Sequence, residues 1–145
     1  MREIYTLTVE LESGMNAKST WKRVIELSEE TDLYDLHLYI QKIIGFDNDH
    51  LFEFFVGKSW RKRERVFGNE DENGFEERKG LDTMLNEVYP LTGLKLYYHF
   101  DFGDSWMFKI KKGRKKKYLV KGITYPRVIE SEGENPDQYP SWEDE

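Results

Sequence analysis

The sequence predicts an α+β domain in which one main helix covers a β-grasp-like mixed sheet. Residues 94–110 read LKLYYHFDFGDSWMFKI, and apolar and polar positions alternate on both sides of a Gly-Asp-Ser turn. That pattern is typical of a β-hairpin with one buried face. Residues 33–44 instead repeat apolar side chains at helical spacing. Two strands, then this helix, then further strands is the order expected of a β-grasp arrangement.

The register of the central hairpin follows from burial. A two-residue turn at Gly103-Asp104 would put Trp106 on the same face as Asp101. A three-residue loop at 103–105 keeps the large apolar groups together, at about 1.5–3 kcal/mol for each side chain buried. We therefore predict these cross-strand pairs: Phe102 with Trp106, Phe100 with Phe108, and Tyr98 with Ile110. The loop or a bulge then needs a left-handed residue, a role to which Ser105 is not well suited.

The N-terminal part predicts a hairpin of strands 2–11 and 20–27, with Trp21, Ile25 and Leu27 pointing inward. Arg23 shares that inward parity, so we expect it at an edge or beside an acid. The helix at 33–44 has a capping residue in Thr31 or Asp32 and stops at Gly45.

Further along, we predict strands at 51–56 and 59–67, the second a charged edge strand, with a break at Gly57-Lys58. A charged loop at 68–80 and a short helix at 81–88 come before the central hairpin. A strand at 118–124 is expected to pair back on 106–110. We assign residues 1–129 to a single domain and residues 130–145 to an acidic tail or surface extension.

Composition narrows the class of protein. The chain has 145 residues, no cysteine and 15% aromatic residues, which indicates one folded domain without disulfides or thiolate metal sites. No apolar run approaches the ~20 residues of a membrane span, and the start of the chain lacks a signal-peptide pattern. We expect a soluble cytoplasmic protein. The net charge of −6 disfavours nucleic-acid binding by the whole surface but allows a local patch.

Several motifs together resemble the plasmid pRiA4b ORF-three-like family. The matching stretches are Trp21-Lys22-Arg23, Leu36-His37-x-x-Ile40-Gln41, His50-Leu51-x-x-Phe54, and Tyr98-His99-Phe100-Asp101-Phe102-Gly103-Asp104-x-Trp106. Members of this largely uncharacterised family occur on plasmids, on mobile elements and in chromosomes, so the resemblance implies a link to plasmid or transposon biology.

This chain departs from the family pattern in three places. Phe108 stands where many members have a histidine, and Val128 where many have a cysteine. The stretch Asn135-Pro136-Asp137 replaces a Pro-Pro-Glu-Asp sequence. A metal or acid–base role resting on those residues therefore does not carry over.

Two sets of residues are candidates for binding. The first is a set of histidines and aspartates that would bind a polar ligand or a cation if the fold brings them together: His37, His50, His99, Asp101 and Asp104. The alternatives are that His37 is a hydrogen-bonded structural residue and that the aspartates fix the turn. With only three histidines, a histidine-rich metal site is not expected.

The second set is a basic stretch, called here the basic tip, with seven bases in nine residues: Lys109, Lys111, Lys112, Arg114, Lys115, Lys116 and Lys117. Such a tip can hold phosphates through counterion release, with Tyr118 or Trp60 stacking on bases. The alternative is a solvated turn neutralised by the seven acids of 130–145.

The sequence shows no nucleophile–base motif, and none of its seven serines lies within an arginine cluster. We therefore predict a non-catalytic binding or accessory module with no cofactor and no membrane contact, and we leave its partner open, a protein being one possibility. Nucleic-acid binding through the basic tip is the first alternative. A metal-using or hydrolytic enzyme at the histidine–aspartate set is the second.

Overall fold

The structure is a computed structural model that describes residues 2–68 and 80–139. Within these ranges the chain forms one sheet of eight strands and two helices. The helices are α1 (Leu33–Ile44) and α2 (Leu85–Val88). The strands are β1 (Glu3–Ser13), β2 (Lys22–Ser28), β3 (Phe52–Ser59), β4 (Lys62–Gly68), β5 (Lys95–Phe100), β6 (Trp106–Lys112), β7 (Lys117–Tyr118) and β8 (Arg127–Glu132).

The sheet has the strand order β4-β3-β5-β6-β1-β2-β8, and the short β7 pairs with the beginning of β1. Every pair among the described strands is antiparallel. The fold is α+β and dominated by this sheet. The sheet is therefore not the mixed one predicted from the sequence, because even the neighbours that are not consecutive in the chain, such as β3 with β5 and β6 with β1, run in opposite directions. The β-grasp arrangement stays a prediction.

Helix α1 covers one face of the sheet and has the predicted bounds. The Asp32 carboxylate caps its first turn by accepting a hydrogen bond from the Asp35 amide at 2.8 Å, and Gly45 ends it at φ 80°. The apolar stripe that made the helix predictable is buried against the inner face of the sheet, at Leu33, Leu36, Ile40 and Ile44. The other face, called here the outer face, carries only a small apolar cluster of Phe55, Tyr97 and Met107.

The central hairpin pairs Phe100 with Trp106 and Tyr98 with Phe108, two residues out from the predicted register. The faces are as predicted, but the loop has five residues instead of three. Asp101 causes the difference: its φ is 60°, and its carboxylate accepts hydrogen bonds from the Gly103 and Asp104 amides. Phe102, predicted to face the core, is therefore 43% exposed.

Other boundaries also differ from the predictions. The predicted strand at 118–124 is wrong: only residues 117 and 118 are extended there, and they pair with β1 instead of β6. Strand β3 continues through Gly57 and Lys58 by means of irregular pairings with β4. Helix α2 is shorter than the predicted 81–88. Strand β4 lies at the sheet edge as predicted, and most of the predicted loop 68–80 lies outside the described residues.

The chain after residue 126 is attached to the sheet rather than separate from it. Strand β8 pairs with β2, and Asn135 accepts a hydrogen bond from the indole N–H of Trp21 at 2.8 Å. The Arg23 guanidinium donates to the carbonyl oxygens of Glu132 and Gly133, each at 2.9 Å. Arg23 thus satisfies its buried charge with backbone oxygens of this segment, where the sequence left open an edge position or an acidic partner.

Candidate functional site

Because the described strand pairs are antiparallel, each turn between strands lies at one of the two ends of the sheet. One end, called here the basic end, contains the β3–β4 turn, the start of β5 and the β6–β7 connection. Its basic residues are Lys58, Arg61, Lys62, Lys95 and the basic tip from Lys111 onward. The opposite, acidic end contains the turn before β3, the β5–β6 loop and the chain after β8, with Asp47, Asp49, Asp101, Asp104, Glu134 and Asp137.

Three of the seven bases in the basic tip are held by other groups of the protein. Lys109 forms an ion pair with Glu12 at 2.8 Å, and Lys117 forms one with Glu26 at 2.8 Å. The ammonium of Lys112 lies 4.6 Å from the centroid of the Tyr5 ring. These three charges are already compensated and are poor candidates for binding a ligand.

The other four bases of the tip have no ion pair within the described part of the chain. They are Lys111, Arg114, Lys115 and Lys116, and all four are exposed. Lys95 comes directly before Leu96 and Lys111 directly after Ile110, which are paired across β5 and β6, and both lysines line one groove. Two like charges at such neighbouring positions repel each other, and an anion bound between them lowers that repulsion.

A shallow groove of about 410 Å³ lies beside these bases. Its floor is apolar and includes Leu91, Leu94, Leu96 and Ile110, while the charged residues lining it are all basic: Lys95, Lys111, Lys112 and Arg114. A groove with this lining favours ligands that combine anionic groups with flat or apolar parts.

The acidic segment after β8 does not neutralise the tip in the part of the chain that the structure describes. Glu132 lies 3.9 Å from Lys22, on β2. The acids that do contact the tip are Glu12 and Glu26, and Glu26 accepts hydrogen bonds from both Lys117 and Arg127. Those hydrogen bonds hold the pKa of Glu26 below its usual range against the opposing effect of burial.

At the acidic end, Asp101 organises the β5–β6 loop. Its carboxylate is buried and accepts the Gly103 and Asp104 amides at 3.1 and 3.3 Å. The Asp104 side chain accepts a hydrogen bond from Asn16 at 3.3 Å, and its carbonyl accepts one from the Met15 amide. Both aspartates are thus engaged by the protein's own donors.

His50 is the one candidate histidine that the structure brings to these aspartates. Its Nε2 lies 3.4 Å from Asp101 Oδ2 and 2.7 Å from the Tyr139 hydroxyl. Tyr139 donates to Asp49 at 2.5 Å, and this bond raises the pKa of Tyr139 to about 12. Since that hydroxyl gives its proton to Asp49, His50 Nε2 is the donor to the Tyr139 oxygen.

His37 lies apart from this group, fully buried and stacked on the Phe52 ring at 3.4 Å. The Tyr98 hydroxyl accepts a hydrogen bond from the Gln41 amide and donates its own proton to His37 Nδ1 at 2.5 Å. On the other side of the ring, His37 Nε2 donates to the Asn48 side-chain oxygen at 2.6 Å. Burial lowers the pKa of His37 to about 4, and the Asn48 bond offsets only part of that effect. Both ring nitrogens are occupied, so His37 has no lone pair free for a ligand.

His99 lies on the outer face and contacts two residues that the sequence did not connect with it. Its Nε2 lies 2.9 Å from Ser105 Oγ, and its Nδ1 lies 3.6 Å from Glu53 Oε1. Glu53 also pairs with Arg63. Burial raises the pKa of Glu53, but the His99 ring and the Arg63 guanidinium outweigh it and keep the carboxylate ionised. The pairing of β3 with β5 brings these side chains together with the β5–β6 loop. No spacing pattern in the sequence indicates this contact, because Glu53 lies far from His99 and Ser105 along the chain.

The histidines and aspartates therefore do not form one site. His50, Asp101 and Asp49 are close together, whereas His37 is in the core and His99 is on the outer face. No group of three or more histidine, aspartate or glutamate side chains with metal-holding geometry occurs in residues 2–68 and 80–139. Within the same ranges, no helix has the length and apolar character needed to cross a membrane.

The chain belongs to the plasmid pRiA4b ORF-3-like protein family, whose model matches residues 3–138. This match confirms the resemblance that the sequence motifs indicated. The stretches shared with the family lie at the beginning of β2, on α1, at the beginning of β3 and in the central hairpin.

Two relatives are similar to this chain. The uncharacterized protein y4hQ of Sinorhizobium fredii (strain NBRC 101917 / NGR234) is 32% identical over 105 residues, covering 71% of this chain and 50% of y4hQ. The chain thus spans about half the length of that relative. The crystal structure of a protein of unknown function, MM3350 from Methanosarcina mazei Go1, superposes with a TM-score of 0.73 at 23% identity. It covers 93% of this chain and 72% of that one, and at this identity it shows the fold alone.

Proposed function

We propose that the protein is a binding module whose basic end holds the phosphate backbone of a nucleic acid. The observation that carries this proposal is the set of four exposed tip bases without an acidic partner in the described part of the chain, next to Lys95. Uncompensated bases at one end of a protein with net charge −6 mark a place where an anion lowers the free energy.

The neighbouring surface favours a nucleic acid over a simple anion. Trp60, in the β3–β4 turn at the same end, is 50% exposed, and Tyr118, directly after the tip, is 45% exposed. Neither ring lines the groove, and the Arg61 guanidinium lies 4.6 Å from the centroid of the Trp60 ring, but exposed aromatic side chains near basic residues are the usual means of stacking unpaired bases. The half-buried Leu91 and Leu94 in the lining of the groove give such bases an apolar surface to lie on. We therefore infer a preference for single strands.

A link to plasmid or transposon biology is part of the same proposal. It rests on the family's description alone, and it makes DNA the sensible first probe. The acidic end supports the choice of the basic end as the binding surface. Its carboxylates repel a phosphate chain, so a nucleic acid approaches the basic end more favourably.

The proposal is tested by fluorescence anisotropy with labelled random-sequence single-stranded DNA and RNA at ~50 and ~200 mM salt. About five phosphate contacts on a single strand should weaken binding on the order of 10²-fold over that range. The variant with Lys111, Arg114, Lys115 and Lys116 changed to serine should not bind measurably.

A charge-matched pair of double variants supplies the control. Lys115→Ser with Lys116→Ser removes two charges from the tip, whereas Lys18→Ser with Lys42→Ser removes two exposed charges elsewhere. The tip pair should lower the salt slope by about 1.4, at about 0.7 for each phosphate contact on a single strand, and the other pair should leave the slope unchanged. Equal losses from both pairs, or no binding by the wild type, would contradict the proposal.

A further inference from the structure

We propose that Ser105 is a nucleophile for acyl transfer from carboxylic esters, with His99 as its general base and Glu53 as the residue that positions His99. This activity lies at the acidic end and on the outer face, so it is independent of the nucleic-acid proposal. The three side chains have the order of contacts that activates a serine: hydroxyl to imidazole, and imidazole to carboxylate.

The contacts define which way the protons point. The ionised Glu53 carboxylate only accepts hydrogen bonds, so the nitrogen that faces it at 3.6 Å, Nδ1 of His99, is the one that carries the proton. Nδ1 is buried and forms no hydrogen bond within the described residues, and the Glu53 carboxylate at 3.6 Å is the acceptor that it faces. Nε2 then has its lone pair directed at Ser105, whose hydroxyl donates to it at 2.9 Å. That is the arrangement required for removing the serine proton.

Two further observations set this contact apart from an ordinary turn hydrogen bond. Ser105 has a φ of 54°, a left-handed conformation that costs free energy for a serine and is typical of nucleophiles held on sharp turns. The Arg63 guanidinium pairs with the same Glu53 oxygen, Oε1, that His99 faces, and it lies 4.1 Å from the centroid of the Phe55 ring. Glu53 and His99 are held by the paired strands β3 and β5, and Ser105 is held in the β5–β6 loop, where its amide donates to the Asp101 carbonyl oxygen.

The surroundings favour an ester with an apolar acyl group. The half-exposed Phe102 ring lies 4.9 Å from the His99 ring, and Met107 of the apolar outer-face cluster lies opposite His99 on β6. The Phe102 ring and the outer-face cluster offer apolar contact to an acyl chain. A short-chain ester such as p-nitrophenyl butyrate suits this surface.

The reaction uses only the ester and water. Ser105 Oγ bonds to the carbonyl carbon while His99 Nε2 takes the hydroxyl proton. The bond between that carbon and the leaving oxygen breaks, and the leaving oxygen receives the proton from Nε2 as the alcohol departs. Water then attacks the acyl carbon and gives a proton to Nε2. This proton returns to Oγ as the acyl–Oγ bond breaks, which releases the carboxylic acid and restores the serine.

The test is covalent labelling by a fluorophosphonate probe, read by intact mass and peptide mapping, together with p-nitrophenyl butyrate hydrolysis. One adduct is expected, at Ser105. Ser105→Gly removes the hydroxyl and suits the left-handed φ, so the variant should fold and lose both labelling and hydrolysis. His99→Gln should slow labelling by about 10²-fold or more. Ser131→Ala, at an exposed serine of β8, should change nothing.

Glu53→Gln tests the positioning residue by a signature that packing alone would not change. Long-range ¹H–¹⁵N NMR correlations should show His99 protonated on Nδ1 in the wild type and a mixture of tautomers in this variant, together with slower labelling. Absence of an adduct under conditions that label a known serine hydrolase would overturn the proposal. So would labelling that persists in Ser105→Gly, or a wild-type His99 protonated on Nε2.

Discussion

The two ends of the β5–β6 hairpin carry opposite charges, and they differ in whether other groups of the protein bind those charges. At the acidic end, Asp101 accepts two backbone amides and lies beside His50, so its charge is used within the fold. At the basic end, Lys115 and Lys116 have no such partner in the described residues. The comparison teaches that charge alone does not mark a binding site. The useful signal is charge that the protein's own groups leave uncompensated.

The largest effect is expected from removing Asp101. Asp101→Ala leaves two amides without their acceptor and places alanine at a φ of 60°, so we expect a loss of about 2–4 kcal/mol in the free energy of unfolding. Urea denaturation measures it. The control is Asp104→Ala, which removes a half-exposed carboxylate with one side-chain partner and should cost under about 1 kcal/mol. Equal losses for both variants would mean that Asp101 does not organise the loop.

A smaller effect is expected where the acidic segment is attached. Asn135→Ala removes the acceptor of the buried Trp21 indole and one acceptor of Arg23, so stability should fall by about 1–2 kcal/mol. The neighbouring Glu134→Ala, at an exposed side chain, should stay within about 0.5 kcal/mol of the wild type. If urea denaturation shows that Asn135→Ala also leaves the free energy of unfolding unchanged, Asn135 does not attach the segment after β8 to the sheet.

Acid should destabilise the protein through His37 before the carboxylates respond. Its pKa is lowered from 6.5 to about 4 in the fold, so the unfolded chain binds more protons between those values and stability falls as pH drops through that window. The loss should reach about 1.4 kcal/mol by pH 5.5 relative to pH well above 6.5. His37→Gln should remove this pH dependence from urea denaturation. If the free energy of unfolding of His37→Gln falls between pH 7 and 5.5 as steeply as that of the wild type, His37 is not the cause of the pH dependence.

The smallest effect on stability is expected at the basic tip. Lys115→Ser with Lys116→Ser breaks no ion pair in the described residues and relieves mutual repulsion, so the free energy of unfolding should change by less than about 0.5 kcal/mol. Lys117→Ser, which breaks a contact to the buried Glu26, should cost more. A reversed order of these two losses would show that the tip is neutralised inside the fold.

Sequence reasoning succeeded where structure is determined locally. Helix α1 has its predicted bounds because its cap, stripe and stop lie within 14 consecutive residues, from Asp32 to Gly45. The hairpin faces were right because alternation defines them, but the register was wrong because the Asp101 side chain reaches two amides ahead of it. The strand predicted at 118–124 failed because Tyr118 and Val120 are residue types that favour strands, yet both, like Leu119 between them, are about half exposed here.

The candidate sites divide in the same way. The basic tip is nine consecutive residues and was predictable, although its ion pairs with Glu12 and Glu26 depend on neighbouring strands. The contact of Ser105 with His99, and of His99 with Glu53, depends on the hairpin register and on the pairing of β3 with β5. A single sequence does not give that pairing, so these residues appeared unrelated.

The most direct test of the contrast between the two ends is an NMR titration of ¹⁵N-labelled protein with a short single-stranded DNA. The account predicts shifts of amides at the basic end, in residues 58–62, 95–96 and 110–117, with the 101–105 loop and residues 47–50 unaffected. Shifts confined to the acidic end, or no shifts at ~50 mM salt, would contradict the claim that uncompensated bases mark the binding surface.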